Sequence, residues 1–338
     1  MNIREAIEKL VNRIDLSEEE TISVMNQIMT GEATPLQVAS FLTALRMKGE
    51  KVQEITGAAR VMREKVSRVR AKADLVLDIV GTGGDQKGTI NISTASALVV
   101  AGAGITVAKH GNRSVSSKSG SADVLAALGV KIDASKEKVE ECLEKIGIGF
   151  LFAPLLHEAM KYAVQPRREI GIRTIFNLLG PLTNPAGATH QLTGLYDGGL
   201  TEPIAHVLKN LGTARAMIVH GLEGMDEVSL CGPTRVSELR DGKIKTYTVS
   251  PEEFGLKPCR LEDLHGGTPE QCAALLRGVL GGEKGPKRDV VLLNSGAALY
   301  VSGKAQSIEA GMRLAGESID SGKAQGKLDQ LVQMTNAN

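Results

Sequence analysis

Chemistry-bearing side chains concentrate in one run, residues 109–121, reading Lys-His-Gly-Asn-Arg-Ser-Val-Ser-Ser-Lys-Ser-Gly-Ser. Lys109, Arg113 and Lys118 supply three cations, His110 is a candidate fourth, and no acid interrupts them. Five serines and two glycines fill most of the remaining positions. Cations, hydroxyl donors and accessible backbone N–H groups in one short segment suit a polyanionic phosphate ligand. A flexible Ser-rich linker is the plainer alternative. The flanks oppose it, because 105–108 reads as a buried strand and 122–128 as a short helix. The run is therefore expected as a loop at a strand end, where α/β sheets bind ligands. Asn112 and His110 add groups able to hydrogen-bond a neutral part of a substrate.

Three further sites fit the same chemistry. Gly81-Thr82-Gly83-Gly84-Asp85 follows an apolar run, and its glycines let backbone N–H groups approach a phosphate closely. It is no dinucleotide fingerprint, because Gln86 stands at the third glycine, and no P-loop, because Thr89 stands at the lysine. A tight turn explains it equally well in isolation. Asn91-Ile92-Ser93-Thr94 opens a small-residue helix, offering an anion or metal-water site, with helix capping as the alternative use of Ser93 or Thr94. Asp226-Glu227 follows a Gly-rich turn. Paired loop carboxylates are often merely solvated, but hard oxygen ligands are also what Mg²⁺ requires. Cationic and acidic elements in one site make joint sense around Mg²⁺–pyrophosphate. Arg167-Arg168 lies apart, and a guanidinium fork there matches a planar carboxylate.

The elements that must position these groups fall into two parts. Residues 1–70 read as four helices, with Ser17 to Glu20 a capping box, Gly31 a stop, and Thr34-Pro35 a cap followed by proline at the first helical position. Their apolar stripes exceed what four short helices can hide, so the bundle is expected to dimerise or to pack on the main domain, and a dimer is the favoured reading. From Leu75 the pattern becomes strand–helix–strand, which implies a partly parallel sheet. Strands are expected at 75–80, 105–108, 149–153, 191–196, 216–219 and 227–230, and a hairpin around Asp241-Gly242. Helices are expected at 91–102, 135–146, 202–211, 270–280, 289–300 and 308–318, with 154–184 helical but broken by Gly and Pro.

Composition excludes several classes. The chain is 338 residues, 42% hydrophobic and 3% aromatic with no Trp, so its core is aliphatic and it lacks platforms for base stacking. A net charge of +1 gives no general pull toward nucleic acid or acidic membranes. Four widely spaced cysteines form neither a zinc pattern nor a disulfide framework, and with the charged N-terminus they point to the cytoplasm. No apolar run is long enough to span a membrane.

Taken together, Gly-Thr-Gly-Gly-Asp at 81–85, Asn-Ile-Ser-Thr at 91–94, the 109–117 and 120–123 segments, residues 167–185 and Asp226-Glu227 resemble the anthranilate phosphoribosyltransferase family. Ala126 and Met225 depart from that family's usual acid and Leu. The resemblance spans the chain. It implies a small helical domain, 1–70 completed by a segment near 166–184 and used for homodimerisation. It also implies a large α/β domain, 71–165 with 185–338, that binds phosphoribosyl pyrophosphate (PRPP) and Mg²⁺ around a mixed, partly parallel sheet. It further implies transfer of phosphoribosyl from PRPP to the amine of anthranilate, in tryptophan biosynthesis.

By the same resemblance PRPP is bound by Gly81, Gly84, Asp85, Thr89, Asn91, Ile92, Ser93, Thr94, Lys109, His110, Gly111, Asn112, Arg113, Ser114, Val115, Ser116, Ser117 and Ser121. Ser93, Asp226 and Glu227 are the implied metal ligands, and Gly81, Asn112 and Arg167 contact anthranilate. His110 is a candidate for positioning the acceptor, and no general base is assigned. Two rivals differ in residues. A pyrimidine nucleoside phosphorylase would carry Lys-His-Ser-Gly-Arg where this chain has Lys-His-Gly-Asn-Arg, and a nucleic-acid-binding paralogue would lack Asn112 and Arg167.

Overall fold

The computed structural model describes residues 1–114 and 118–337. Four helices come first: α1 (Ile3–Val11), α2 (Glu18–Thr30), α3 (Pro35–Lys48) and α4 (Val52–Lys65). Their starts are the ones local chemistry dictates. Asn2, Ser17 and Thr34 each close a capping box, and Gly31 ends α2 in the left-handed conformation that a side chain would disfavour.

The rest of the chain alternates. In order come β1 (Leu77–Gly81), α5 (Ile92–Gly102), β2 (Val107–Gly111), α6 (Ser121–Ala127), α7 (Lys136–Ile146) and β3 (Ile148–Phe152). Then follow α8 (Ala153–Leu156), α9 (Lys161–Ile170), α10 (Phe176–Leu182), β4 (His190–Gly194), α11 (Thr201–Asn210), β5 (Arg215–Gly221), β6 (Thr234–Arg240) and β7 (Lys243–Val249). Four helices close the chain: α12 (Pro269–Leu280), α13 (Pro286–Val301), α14 (Ile308–Asp320) and α15 (Lys323–Asn336).

The seven strands form one mixed sheet in the order β3-β2-β1-β4-β5-β6-β7. The first five run parallel, and β6 and β7 add an antiparallel hairpin whose turn residues Asp241 and Gly242 both take positive φ. Strand order reverses direction between β1 and β4, so the carboxyl ends of those strands frame a crevice. On one face α5 is buried all round, which is why its sequence is apolar on every side, and α12 to α15 share its core. On the other face the apolar stripes of α1 to α4 merge with α10, α11 and residues of β5 and β6 into a second continuous core. The helical bundle therefore does not hide its apolar surface alone; it uses one side of the sheet.

Three expectations need correction. Residues Lys109 to Gly111 are not loop but the end of β2, because they pair in parallel with Phe150 to Phe152. The C-terminal helix α15 was not anticipated, since only Ala324, Leu328, Leu331 and Thr335 of a Gln- and Gly-containing stretch are buried. No strand forms at 227–230. There the backbone is satisfied by side chains: Val228 N–H donates to Asn294 Oδ1 at 2.9 Å, Asn294 Nδ2 donates back to the Val228 carbonyl at 2.8 Å, and Ser229 N–H donates to Thr234 Oγ1 at 2.9 Å. An apolar-flanked segment reads as a strand by pattern, but a buried asparagine on α13 has taken the place of a neighbouring strand.

That clamp generates a prediction. Asn294→Leu keeps the volume but leaves Val228 N–H and C=O unpaired in the core. Stability is expected to fall by about 1–3 kcal/mol per stranded group, read as a lower denaturation midpoint. An unchanged midpoint would mean the loop does not depend on Asn294.

Candidate active site

The carboxyl ends of β1, β2 and β4 gather most of the residues singled out by sequence. Lys109 is 3% exposed, and its ammonium donates to the Ile79 carbonyl at 2.7 Å and to Ser93 Oγ at 3.2 Å. Burial lowers its pKa, while Asp78, Glu227 and Asp226 pull it back up. The cation expected in a phosphate loop at a strand end is instead a fixed internal charge.

The turn after β1 is pinned from several sides. Thr82 N–H donates to the Gly194 carbonyl at 2.9 Å, Tyr196 N–H donates to Thr82 Oγ1 at 3.1 Å, and Gly83 N–H donates to Asp226 Oδ2 at 2.7 Å. Gly83 and Gly84 both have positive φ, so the turn needs glycine for its shape. Gly194 is needed for space, because a Cβ there would overlap the Asp226 carbonyl oxygen. Asp85 caps the turn by accepting from Lys87 N–H at 3.1 Å.

Asp226, Glu227 and Ser93 are brought together. Ser93 N–H donates to Glu227 Oε1 at 3.1 Å, so the anion at the start of α5 is the protein's own carboxylate. Ile92 N–H donates to the Ile90 carbonyl and Thr94 N–H to the Asn91 carbonyl, so these amides are committed too. Ile92 is buried in the core, and only its backbone lies near the site. What the start of α5 leaves is the Ser93 hydroxyl, which also accepts from Lys109, with Asn91 Oδ1 and Thr94 Oγ1, which have no partner among the described residues. Burial raises the Asp226 pKa well above the carboxylate range, with Asp85 and Glu227 adding repulsion, and burial raises Glu227 to about 8. Acids that suppress one another's ionisation in a buried crevice are the donor set a divalent cation relieves. Among the described residues no cluster of three or more His, Cys, Asp or Glu side chains can hold a metal unaided. The acids fit Mg²⁺ as a partial set completed by phosphate oxygens and water.

The loop after β2 is folded onto α6. Asp123 accepts from Arg113 Nη1 at 2.9 Å, Ser114 N–H at 3.0 Å and Gly120 N–H at 3.0 Å. Arg113 is thus already paired. Ser121 Oγ donates to the Asn112 carbonyl at 3.3 Å, and Asn112 itself is exposed. Thr89 forms an isolated bridge with His265. Val115, Ser116 and Ser117 lie outside the described residues.

A second, less charged region adjoins this one. His110 is buried, and its Nδ1 lies 3.1 Å from the Gly180 carbonyl. That oxygen only accepts, so Nδ1 carries the proton and Nε2 presents a lone pair with no partner among the described residues. Burial pushes the His110 pKa down to about 3, and the neighbouring His157 to about 4, their rings 5.1 Å apart. Both are neutral near pH 7. Arg167 is half-buried on α9, its guanidinium 5.0 Å from the Phe176 ring centroid and without a hydrogen bond among the described residues. Phe176 and Gly180 sit four residues apart on α10, hence on one face, so that face lines up Arg167 and His110.

Sequence reasoning missed three participants. Asp78 is fully buried, accepts from His110 N–H at 3.2 Å and from Asn184 Nδ2 at 2.7 Å, and has its pKa raised to about 6, chiefly by burial. Asp123 lies in the Gly-Ser-Ala-Asp segment and carries the third helical position of α6, which was its signal. Arg173, between α9 and α10, donates through Nη2 to the Gly84 carbonyl and lies 4.1 Å from the Tyr196 ring centroid. Nothing local marked it; its partners are distant in sequence.

Known proteins share this chain's sequence and fold. Residues 73–325 match the α/β domain of a glycosyl transferase family, and residues 4–66 match that family's helical bundle domain. Anthranilate phosphoribosyltransferases from Geotalea uraniireducens and Acetivibrio thermocellus are each 55% identical over 99% of this chain, which covers 99% and 97% of them. The chain belongs to the anthranilate phosphoribosyltransferase family. The crystal structure of the Thermus thermophilus anthranilate phosphoribosyltransferase superposes with a TM-score of 0.93 at 47% identity, covering 98% of this chain and 99% of that one. The Saccharomyces cerevisiae anthranilate phosphoribosyltransferase, solved in complex with PRPP and Mg, gives a TM-score of 0.89 at 30% identity over 98% and 97% of the two chains.

Proposed function

We propose that this chain transfers the 5-phosphoribosyl group of PRPP to the amine of anthranilate, releasing pyrophosphate and N-(5-phosphoribosyl)anthranilate, the second step from chorismate to tryptophan. The observation that carries the reading is the juxtaposition of two unlike regions. A crevice of glycine turn, hydroxyls, buried lysine and repelling acids adjoins a region with a guanidinium over an aromatic ring and a neutral imidazole.

Chemically, loss of pyrophosphate from C1 builds positive charge on the ribose and negative charge on the leaving group. Mg²⁺, when held by Asp226, Glu227 and the Ser93 hydroxyl, would supply neutralisation of the pyrophosphate charge. The protein's own share is positional. The Gly81–Gly84 turn, Asn91, Thr94 and residues 109–114 with 118–121 are the groups for the polyanion, with Lys109 fixing the local field. Arg167 offers the anthranilate carboxylate an unsatisfied fork, and Phe176 backs the contact. Asn112, at the mouth of the crevice, and Gly81 border the same acceptor. His110 Nε2 can accept an N–H of the arylamine and aim its lone pair at C1. That is alignment, and a neutral arylamine needs little more. Omitting PRPP, Mg²⁺ or anthranilate in turn from an assay of anthranilate fluorescence tests the whole reading; consumption without PRPP would overturn it.

The helical unit, 1–70 with a segment near 166–184, is proposed to dimerise the chain, leaving 71–165 and 185–338 to bind PRPP and Mg²⁺. Val11, Leu36 and Met47 are 64%, 81% and 70% exposed on α1 and α3, and Leu36 and Met47 lie about three turns apart on one face. No helix among the described residues is long and apolar enough to cross a membrane, and a cytoplasmic setting fits the chain's cysteine usage.

Three outcomes are expected. Asp226→Ala with Glu227→Ala yields a folded protein that is inactive or needs far more Mg²⁺; full activity at unchanged Mg²⁺ would remove both from the metal site. Arg167→Ala raises KM for anthranilate about 10- to 150-fold, the worth of one charge-assisted contact, with KM for PRPP within roughly threefold. Equal weakening of both substrates would take Arg167 away from the acceptor carboxylate. Sedimentation should give a dimer, and a stable species at the chain mass of 35.8 kDa would contradict it.

A further inference from the structure

The turn at 81–85 has four anchors, and they differ in origin. Gly194, Tyr196 and Asp226 hold Thr82 and Gly83 from the sheet and its adjacent loops. The Gly84 carbonyl is held by Arg173, which lies in the short connection between α9 and α10. Arg173 is six residues beyond Arg167 and three before Phe176, so the segment that carries the acceptor-side cation also carries an anchor of the phosphate-side turn.

The contact is built for direction. The guanidinium lies against the Tyr196 ring at 4.1 Å from its centroid, and the Tyr196 backbone N–H is the donor that holds Thr82. Arg173 and Tyr196 therefore grip the same turn at two nearby points, Thr82 through the backbone of Tyr196 and Gly84 through the side chain of Arg173. A flat guanidinium can stack on a ring and donate in its own plane at once, which an ammonium cannot. Gly83 and Gly84 take positive φ, which favours glycine, and as glycines they have no side chains to stiffen the turn. Arg173 is half-buried and, among the described residues, hydrogen-bonds the Gly84 carbonyl without an ion pair. Its only polar partner there is the turn.

We propose that Arg173 is a positioning residue. It holds the Gly84 carbonyl so that the remaining amides of the turn, those of Gly84 and Asp85, stay presented to the pyrophosphate while Thr82 and Gly83 donate within the protein, and it ties that turn to the segment bearing Arg167. The proposal rests on the function argued above, since it needs PRPP in the crevice. The role is distinct from binding substrate: Arg173 acts through the turn.

The test is steady-state kinetics and thermal unfolding of the full-length protein with Arg173→Gln, Arg173→Lys and Tyr196→Ala. Arg173→Gln should raise KM for PRPP about 10-fold, the lower end for a charge-assisted bond. KM for anthranilate and kcat should stay within roughly threefold, and Tm within about 2 °C, as for substitutions outside a core. Arg173→Lys retains a cationic donor and should recover part of the loss. Tyr196→Ala should raise KM for PRPP in the same direction, and the Tyr196→Ala, Arg173→Gln double variant should lose less than the product of the two, because both act on one turn. An unchanged KM for PRPP in Arg173→Gln overturns the proposal. So does a Lys variant no better than Gln, or a loss spread equally over both substrates with a lowered Tm. A wild-type protein that consumes no anthranilate with PRPP defeats the function itself; a wild type that turns over beside an indistinguishable Arg173→Gln defeats only this role.

Discussion

A lysine buried at the carboxyl edge of a parallel sheet is the constraint on which the site is built. An ammonium taken out of water is costly unless it is paired and hydrogen-bonded. Lys109 is compensated by the Ile79 carbonyl, the Ser93 hydroxyl and the nearby charges of Asp78, Asp226 and Glu227. Those compensating groups come from β1, the loop after β5 and the start of α5. Satisfying one internal charge thus fixes three parts of the chain against one another. Burial first, and repulsion from neighbouring acids second, drives the Asp226 and Glu227 carboxyls toward their neutral forms. A crevice in that condition is poised for a divalent cation bound with a polyphosphate, where added positive charge relieves what burial has strained.

Steric closeness does the remaining alignment. Asp226 can sit against β1 and β4 only because Gly81 and Gly194 lack side chains, a Cβ at the first falling 2.5 Å from Asp226 Oδ2. The loop that carries Asp226 is held at its far side by Asn294, so α13, deep in the core, sets the height of the acids. On the opposite wall α10 contributes the Phe176 ring and the Gly180 carbonyl, and the latter chooses the tautomer of His110. Among the described residues, the region around His110 and Phe176 is neutral except for Arg167, whereas the region around Lys109 is crowded with charge. Two unlike electrostatic environments share one crevice.

Much of this was legible in the chain itself. The capping box at Ser17, the cap and first-turn proline at Thr34-Pro35, the Asp241-Gly242 hairpin and the strand–helix alternation are local chemistry, and each element formed where such chemistry dictates. The glycine turn, the basic run and the acid pair were recognisable because each concentrates unusual residue types within a few positions. Their assignment to strand ends followed from the apolar runs before them. The boundary error at Lys109 to Gly111 arose because charge was read as exposure, although parallel pairing with β3 buries Lys109 and His110.

By itself, then, the sequence determined the classes of element, the mixed α/β architecture and the chemical character of the site, since propensity, periodicity and residue type are carried over short stretches. Only the tertiary structure decided which groups are free to act. It turned the amides at the start of α5 toward protein acceptors, paired Arg113 with Asp123, left Arg167 without a hydrogen bond among the described residues, and brought Arg173 to Gly84 across 89 positions. Whether a donor is spent or available depends on partners distant in the chain, and that is set by packing and by the need to satisfy every buried polar group. The same reason explains the absent strand at 227–230: its pattern was apolar, but Asn294 had already claimed its backbone.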